Sequence, residues 1–123
     1  MSILFDAVKS LYEIFDKKAA KREANIDAAS IAFREAMTET RIYLAAGKRT
    51  GTRDYEKEAT LARLWSKAAT DARKHAAELS DKCLEISRYW AESPQDPLRH
   101  ADETLALIGQ IFESAREDEE LEE

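Results

Sequence analysis

The apolar residues of this sequence recur at steps of three and four, which is the spacing of one face of an α-helix. The first stripe predicts a helix over residues 3–15 and the second a helix over residues 26–46. A third stripe, rich in alanine, begins near Asp54, and a fourth begins after a weakly marked break at residues 76–78. The last stripe contains Leu98, Ala101, Leu105, Ile108, Phe112 and Ala115. We therefore expect an all-α protein, a mainly antiparallel bundle of four or five helices.

Helix-breaking residues predict where these helices end. Two of the three glycines fall within residues 47–53, and both prolines fall within residues 92–98. Inside a helix, glycine costs about 1 kcal/mol and proline about 3 kcal/mol relative to alanine. We expect the glycine segment to end the second helix before Gly47, and Ser80 is a possible cap of the fourth helix.

Length and charge distribution predict a single domain. The chain has 123 residues, of which 44% are hydrophobic and 36% are charged, as in a helical protein with an apolar interior. Residues 117–123 contain six acidic side chains and one leucine. We expect residues 1–116 to form the helical domain and residues 117–123 to be a disordered acidic tail.

Charge and composition also narrow the range of partners. The formal net charge of −6 disfavours a nucleic-acid partner, because phosphate groups would be repelled overall. No apolar run approaches the 18 or so residues of a membrane span, and no basic leader with a cleavage site is visible. The single cysteine, Cys83, cannot form an internal disulfide. A cytoplasmic protein that binds neither membrane nor nucleic acid is expected.

The last helix is apolar over more than one face. Leu107 and Ile111 add to the stripe that begins at Leu98. This is wider than the terminal helix of a small monomer needs. It predicts a homodimer with the fifth helix at or near the interface.

Arginine and tryptophan suggest where a protein partner would bind, because both are enriched in interface hot spots. Six residues are candidates for such a surface: Arg41, Tyr43, Arg63, Trp65, Arg88 and Trp90. Trp90 continues an apolar stripe and is expected in the core. Trp65 follows two leucines closely, so we expect it at the edge of a stripe and partly exposed.

Four acidic residues offer an alternative based on a metal ion. Glu35 and Glu39 share one helix face, and Glu78 and Asp81 open the fourth helix as Glu-x-x-Asp. This resembles part of the Mg²⁺ site of the all-α nucleotide pyrophosphohydrolases, in which Glu-x-x-Glu precedes Glu-x-x-Asp. The first pair here is one residue too long, and the resemblance covers only four residues. An ion-pair layer with neighbouring arginines is the other interpretation.

The pattern as a whole favours a non-catalytic protein-interaction or assembly module. No nucleophile is paired with a base, and no cofactor motif is present, so no cofactor is expected. The alternative function is a small Mg²⁺-dependent nucleotide phosphohydrolase that uses the four acidic residues.

Overall fold

The computed structural model describes residues 2–16, 31–74, 77–92 and 95–121, with side chains described up to residue 14 in the first range and residue 113 in the last. These ranges form five α-helices and contain no strand. The helices are α1 (Ile3–Asp16), α2 (Ile31–Thr50), α3 (Tyr55–Ala72), α4 (Ala77–Glu92) and α5 (Ala101–Leu121). The predicted all-α bundle is confirmed.

The contacts between neighbouring helices show that these helices run in opposite directions. Trp65 of α3 donates a hydrogen bond to Thr40 of α2. Glu58, which precedes Trp65 on α3, accepts a hydrogen bond from Tyr43, which follows Thr40 on α2. The contacts between α2 and α5 follow the same order: Arg41 lies over the Phe112 ring and Lys48 forms an ion pair with Asp102. These helix pairs are therefore antiparallel, as the sequence predicted.

Two serine hydroxyls join α4 to α3. Ser80 Oγ donates to the carbonyl oxygen of Ala69 at 2.7 Å, and Ser87 Oγ donates to that of Ala62 at 2.7 Å. Ser80 is buried inside the interface. The prediction that Ser80 caps α4 is wrong, because the helix already begins at Ala77 and the hydroxyl is used between helices.

Helix α2 ends inside the glycine segment, four residues later than the predicted end at residue 46. It continues through Gly47 to Thr50, and the chain then turns at Gly51, whose φ of 72° favours glycine. At Gly47 a Cβ atom would overlap the side chain of Leu98. Glycine is therefore present at this position for close packing, and the predicted end of α2 before Gly47 is wrong. The predicted start at residue 26 lies outside the described residues.

Helix α3 begins where the sequence indicated. Asp54 has an extended backbone with φ of −129°, and its Oδ1 accepts from the amides of Glu56 at 3.1 Å and Lys57 at 3.2 Å. A carboxylate at this position satisfies amide groups that have no partner within the helix. The negative charge of the carboxylate also interacts favourably with the positive, N-terminal end of the helix dipole.

The core is built around two tryptophans. Trp65 is 0% exposed and Trp90 is 1% exposed, and both contact other aromatic rings edge to face. The ring of Phe33 lies 6.0 Å from Trp65, while Tyr43 and Tyr89 lie 5.6 and 5.2 Å from Trp90. Such contacts contribute about 0.5–1.5 kcal/mol each beyond the burial of area. The two rings are thus central to the stability of the bundle.

Helix α5 uses its wide apolar face within the monomer. Ile108 and Ile111 are fully buried, and Leu107 is half-buried against the core. The reason for placing a dimer interface on α5 is therefore removed, although self-association itself stays a prediction. Backbone helix extends to Leu121, so the boundary predicted at residue 116 is not an end of the helix. The order of the tail stays a prediction, and residues 122 and 123 lie outside the described residues.

Candidate functional site

A buried carboxylate fastens the turn between α2 and α3. Glu58 is 1% exposed, and its Oε2 accepts from the hydroxyl of Tyr43 at 2.5 Å. Arg53 binds the same carboxylate with two nitrogens, Nε at 2.9 Å and Nη2 at 2.6 Å. The amide of Asp54 donates to the Tyr43 hydroxyl at 2.9 Å. The turn is therefore tied to α2 and α3 by hydrogen bonds of the strong, charge-assisted kind.

The protonation states of this network follow from burial. Burial, together with the hydrogen bond to Glu58, raises the pKa of Tyr43 to about 12. The bond to Glu58 raises the pKa of Arg53 above its already high value, and the guanidinium lies 4.8 Å above the ring of Tyr55. Tyr43 therefore stays neutral and Arg53 stays charged at any physiological pH. This arrangement holds structure and offers no group poised for proton transfer.

The sequence carries a signal for the burial of Glu58. Glu58, Leu61, Trp65, Ala68 and Ala72 recur at steps of three and four, and all five are buried on one face of α3. A glutamate on an apolar stripe is rarely buried unless it is paired. This pattern is typical of a buried ion pair, which our sequence analysis did not predict, and nothing local to Glu58 identifies Arg53 as its partner.

The turn forms one end of a groove between α2 and α3. Two hollows of about 410 and 640 Å³ share Glu39 and Thr60 as lining residues, so they form one continuous surface, which we name the α2–α3 groove. Its apolar residues come from both helices: Ile31, Ile42, Ala46, Leu61 and Leu64. Its charged residues are Arg34, Glu35, Glu39, Asp54 and Lys57.

Two large aliphatic side chains beside this groove face solvent. Ile31 is 85% exposed and Ile42 is 55% exposed. They are eleven residues apart, about three helical turns, so they lie on the same side of α2. The opposite side of α2 is packed in the core through Phe33, Met37 and Leu44. The exposed isoleucines thus lie on the side of α2 that faces away from the core.

No protein-family model matches the chain, and neither the curated proteins nor the solved structures yielded a match. Within the described ranges, none of the helices is long and apolar enough to cross a membrane.

The predicted tryptophan site is not formed as expected. Trp65 is fully buried, and its Nε1 donates to Thr40 Oγ1 at 2.8 Å. Thr40 in turn donates to the carbonyl oxygen of Ala36 at 2.7 Å. The expectation that Trp65 is partly exposed was wrong, because α2 supplies both an aromatic edge and a hydrogen-bond acceptor for its indole. Trp90 is in the core, as expected.

The remaining candidates of that set are spread over three helices. Tyr43 is buried in the Glu58 network. The three arginines are exposed on three different helices: Arg41 on α2, Arg63 on α3 and Arg88 on α4. Arg88 lines a separate hollow between α1 and α4, whereas neither hollow of the α2–α3 groove includes Arg41 or Arg63. A binding role for each stays a prediction.

The alternative metal site is not assembled. Glu35 and Glu39 line the α2–α3 groove, while Glu78 and Asp81 are exposed at the start of α4, outside that groove. Among the residues whose positions are described, no group of three or more His, Cys, Asp or Glu side chains is placed to hold a metal ion. The four carboxylates therefore do not converge as the Mg²⁺ interpretation required.

Cys83 lies in the core and has no features of a nucleophile. Its side chain is fully buried, and this burial raises the pKa of the thiol to about 12. The reactive form of cysteine is the thiolate, and a thiol with so high a pKa stays protonated at neutral pH. Cys83 acts as a small apolar residue of α4.

Proposed function

We propose that this protein is a non-catalytic helical interaction module that binds a protein partner in the α2–α3 groove. The observation that carries the proposal is the pair of exposed isoleucines, Ile31 and Ile42, on the side of α2 that borders the groove. Single exposed apolar residues are common on protein surfaces. Two on one face, next to a hollow with an aliphatic floor, form a surface of the kind that receives a helix.

The fold supports this role by holding the groove rigid. The Glu58 network fixes the turn at one end, and the bond from Trp65 to Thr40 fixes α2 against α3 further along. A groove with fixed walls needs little reorganisation when a partner binds, which favours affinity. A cytoplasmic location and self-association as a homodimer belong to the same proposal. Light scattering at tens of micromolar tests the dimer, and a particle of 14.0 kDa would exclude it.

Site-specific cross-linking tests the groove directly. A photoreactive phenylalanine derivative is placed at Ile42 and, as the control, at the exposed Glu85 of α4. After irradiation in cells that produce the protein, we expect discrete adducts with another polypeptide from position 42 and none of these from position 85. Equal adduct patterns at both positions, or no adduct at position 42, would show that the groove is not a binding surface.

A further inference from the structure

The face of the molecule formed by α2 and α3 carries opposite charges on its two helices. On α2, the exposed Glu35 and Glu39 lie one helical turn apart and line the groove. On α3, the exposed Arg63 and Lys67 have the same spacing, and each follows a groove-lining residue by three positions, so both border the groove. Within the described ranges, none of these four side chains forms an ion pair. We name the first pair the acidic row and the second pair the basic row.

The two rows lie at the same level of the bundle. The hydrogen bonds that join α2 to α3 show that the residues of these helices face each other in reverse order. At this register Glu39 is level with Arg63, and Glu35 is level with Lys67, to within less than one helical turn. The rows therefore run side by side along the face, the acidic row on one helix and the basic row on the other.

A two-fold axis parallel to the helices makes these rows complementary between two molecules. Rotation about such an axis keeps every residue at its level and exchanges the two sides of the face, so α2 of each copy faces α3 of the other. Glu39 of each copy then meets Arg63 of the other, and Glu35 meets Lys67. A two-fold axis across the helices would instead place α2 opposite α2, and the acidic rows would repel each other. The charge pattern thus favours one arrangement of two copies.

The same contact covers the exposed apolar residues of this face. Ile31 and Ile42 lie on the side of α2 that carries the acidic row, and the half-buried Leu64 lies on α3. Arg34 also lines the groove, but it lies two turns before Arg41, on the flank of α2 that packs beside α5. Arg34 is therefore outside the acidic row.

We infer that the partner bound at the α2–α3 groove is a second copy of this chain, with the acidic row of each copy opposite the basic row of the other. This inference rests on the proposed function and names its partner. Overall charge does not oppose it, because the six acidic residues of 117–123 account for the whole formal charge of −6 and residues 1–116 are neutral. The isoleucines contribute affinity, and the charge rows set the orientation of the two copies.

Reversing the charge of one row tests this arrangement by sedimentation equilibrium. The native chain should form a particle of twice 14.0 kDa at tens of micromolar. In the α2 variant, Glu35→Lys with Glu39→Lys, α2 would face a basic row, and we expect the dissociation constant of the dimer to rise at least about tenfold. The α4 variant, Glu78→Lys with Asp81→Lys, makes the same change in net charge elsewhere, and we expect a change of less than about twofold. All four side chains are exposed, and circular dichroism confirms that each variant is folded.

Mixing two variants restores the complementarity. The α3 variant, Arg63→Glu with Lys67→Glu, makes both rows acidic, and alone it should associate as weakly as the α2 variant. In an equal mixture of the α2 and α3 variants every row meets a row of opposite charge, and we expect a dissociation constant within about threefold of the native value. A mixture of the α3 and α4 variants has the same overall charge. It should associate more weakly, because only one of its two contacts is complementary.

Three outcomes would overturn the inference. These are a native particle of 14.0 kDa, equal association of the α2 and α4 variants, and a mixture of the α2 and α3 variants that associates no better than that of the α3 and α4 variants. If position 42 forms an adduct whose mass is not twice that of this chain, the interaction function stands and the second copy is not the partner. If position 42 gives no adduct, the proposed function itself fails.

Discussion

Removal of Arg53 should destabilise the protein far more than removal of a surface arginine. In the variant Arg53→Met, the carboxylate of Glu58, which is 1% exposed in the native chain, loses both bonds from the guanidinium. Breaking one side of a buried ion pair typically costs 3–5 kcal/mol, because the remaining charge has no counterion. The Tyr43 hydroxyl still donates to this carboxylate, and Arg53 itself is partly exposed. We therefore expect a loss of about 3 kcal/mol, or about 10 °C in Tm.

Urea unfolding followed by far-UV circular dichroism measures this loss, and Arg49→Met is the matched control. Arg49 lies in the last turn of α2 and is exposed, so its replacement makes the same change in charge. We expect the control to change the free energy of unfolding by less than about 0.5 kcal/mol. Adding Glu58→Gln to Arg53→Met removes the buried charge, and the double variant should recover at least about 1 kcal/mol.

The comparison of Arg53→Met with Arg49→Met at neutral pH decides whether the buried carboxylate of Glu58 depends on its arginine. If Arg53→Met costs no more than Arg49→Met at neutral pH, the Glu58 network does not hold the turn.

Two further predictions concern the interior. Trp65→Ala and Trp90→Ala should each lose about 3–5 kcal/mol in urea unfolding, because both rings are fully buried, and a loss below 1 kcal/mol for Trp65 would contradict its position in the core. Gly109→Ala should raise Tm, since its Cβ would meet no atom within 4 Å and alanine is favoured in a helix by about 1 kcal/mol. Gly47→Ala should not, because the new methyl group would displace Leu98, and equal gains at both glycines would refute the packing account.

Local signals in the sequence predicted most of the fold. Spacing of apolar residues located the helices, and Asp54 marked the start of α3 because its carboxylate serves the helix end directly. Gly47 was misinterpreted, because a glycine tolerated for close packing has the same local appearance as one that ends a helix. Only the position of Leu98, fifty-one residues later, separates the two cases.

The candidate site was harder to predict from the sequence, because its position depends on which helices pack against each other. Trp65 was expected at the edge of an apolar stripe, because the sequence of α3 contains only the neighbours of Trp65 on its own helix. The contacts that bury its ring come from Thr40 and Phe33 of α2. Glu35 and Glu39 were noticed as a pair on one face. Their opposite wall comes from Thr60 and Leu64 of α3, which the sequence did not place.

The two serines between α3 and α4 fix how far one helix can slide along the other. Alanine-rich surfaces are smooth, so packing alone would tolerate a shift by one helical turn with little change in buried area. After such a shift, the hydroxyls of Ser80 and Ser87 would no longer face the carbonyl oxygens of Ala69 and Ala62. A hydrogen bond of this kind contributes about 0.5–1.5 kcal/mol, so the two together favour the observed position of α4 by about 1–3 kcal/mol. The serines thus contribute to the uniqueness of the fold, which side-chain volume alone would leave unspecified.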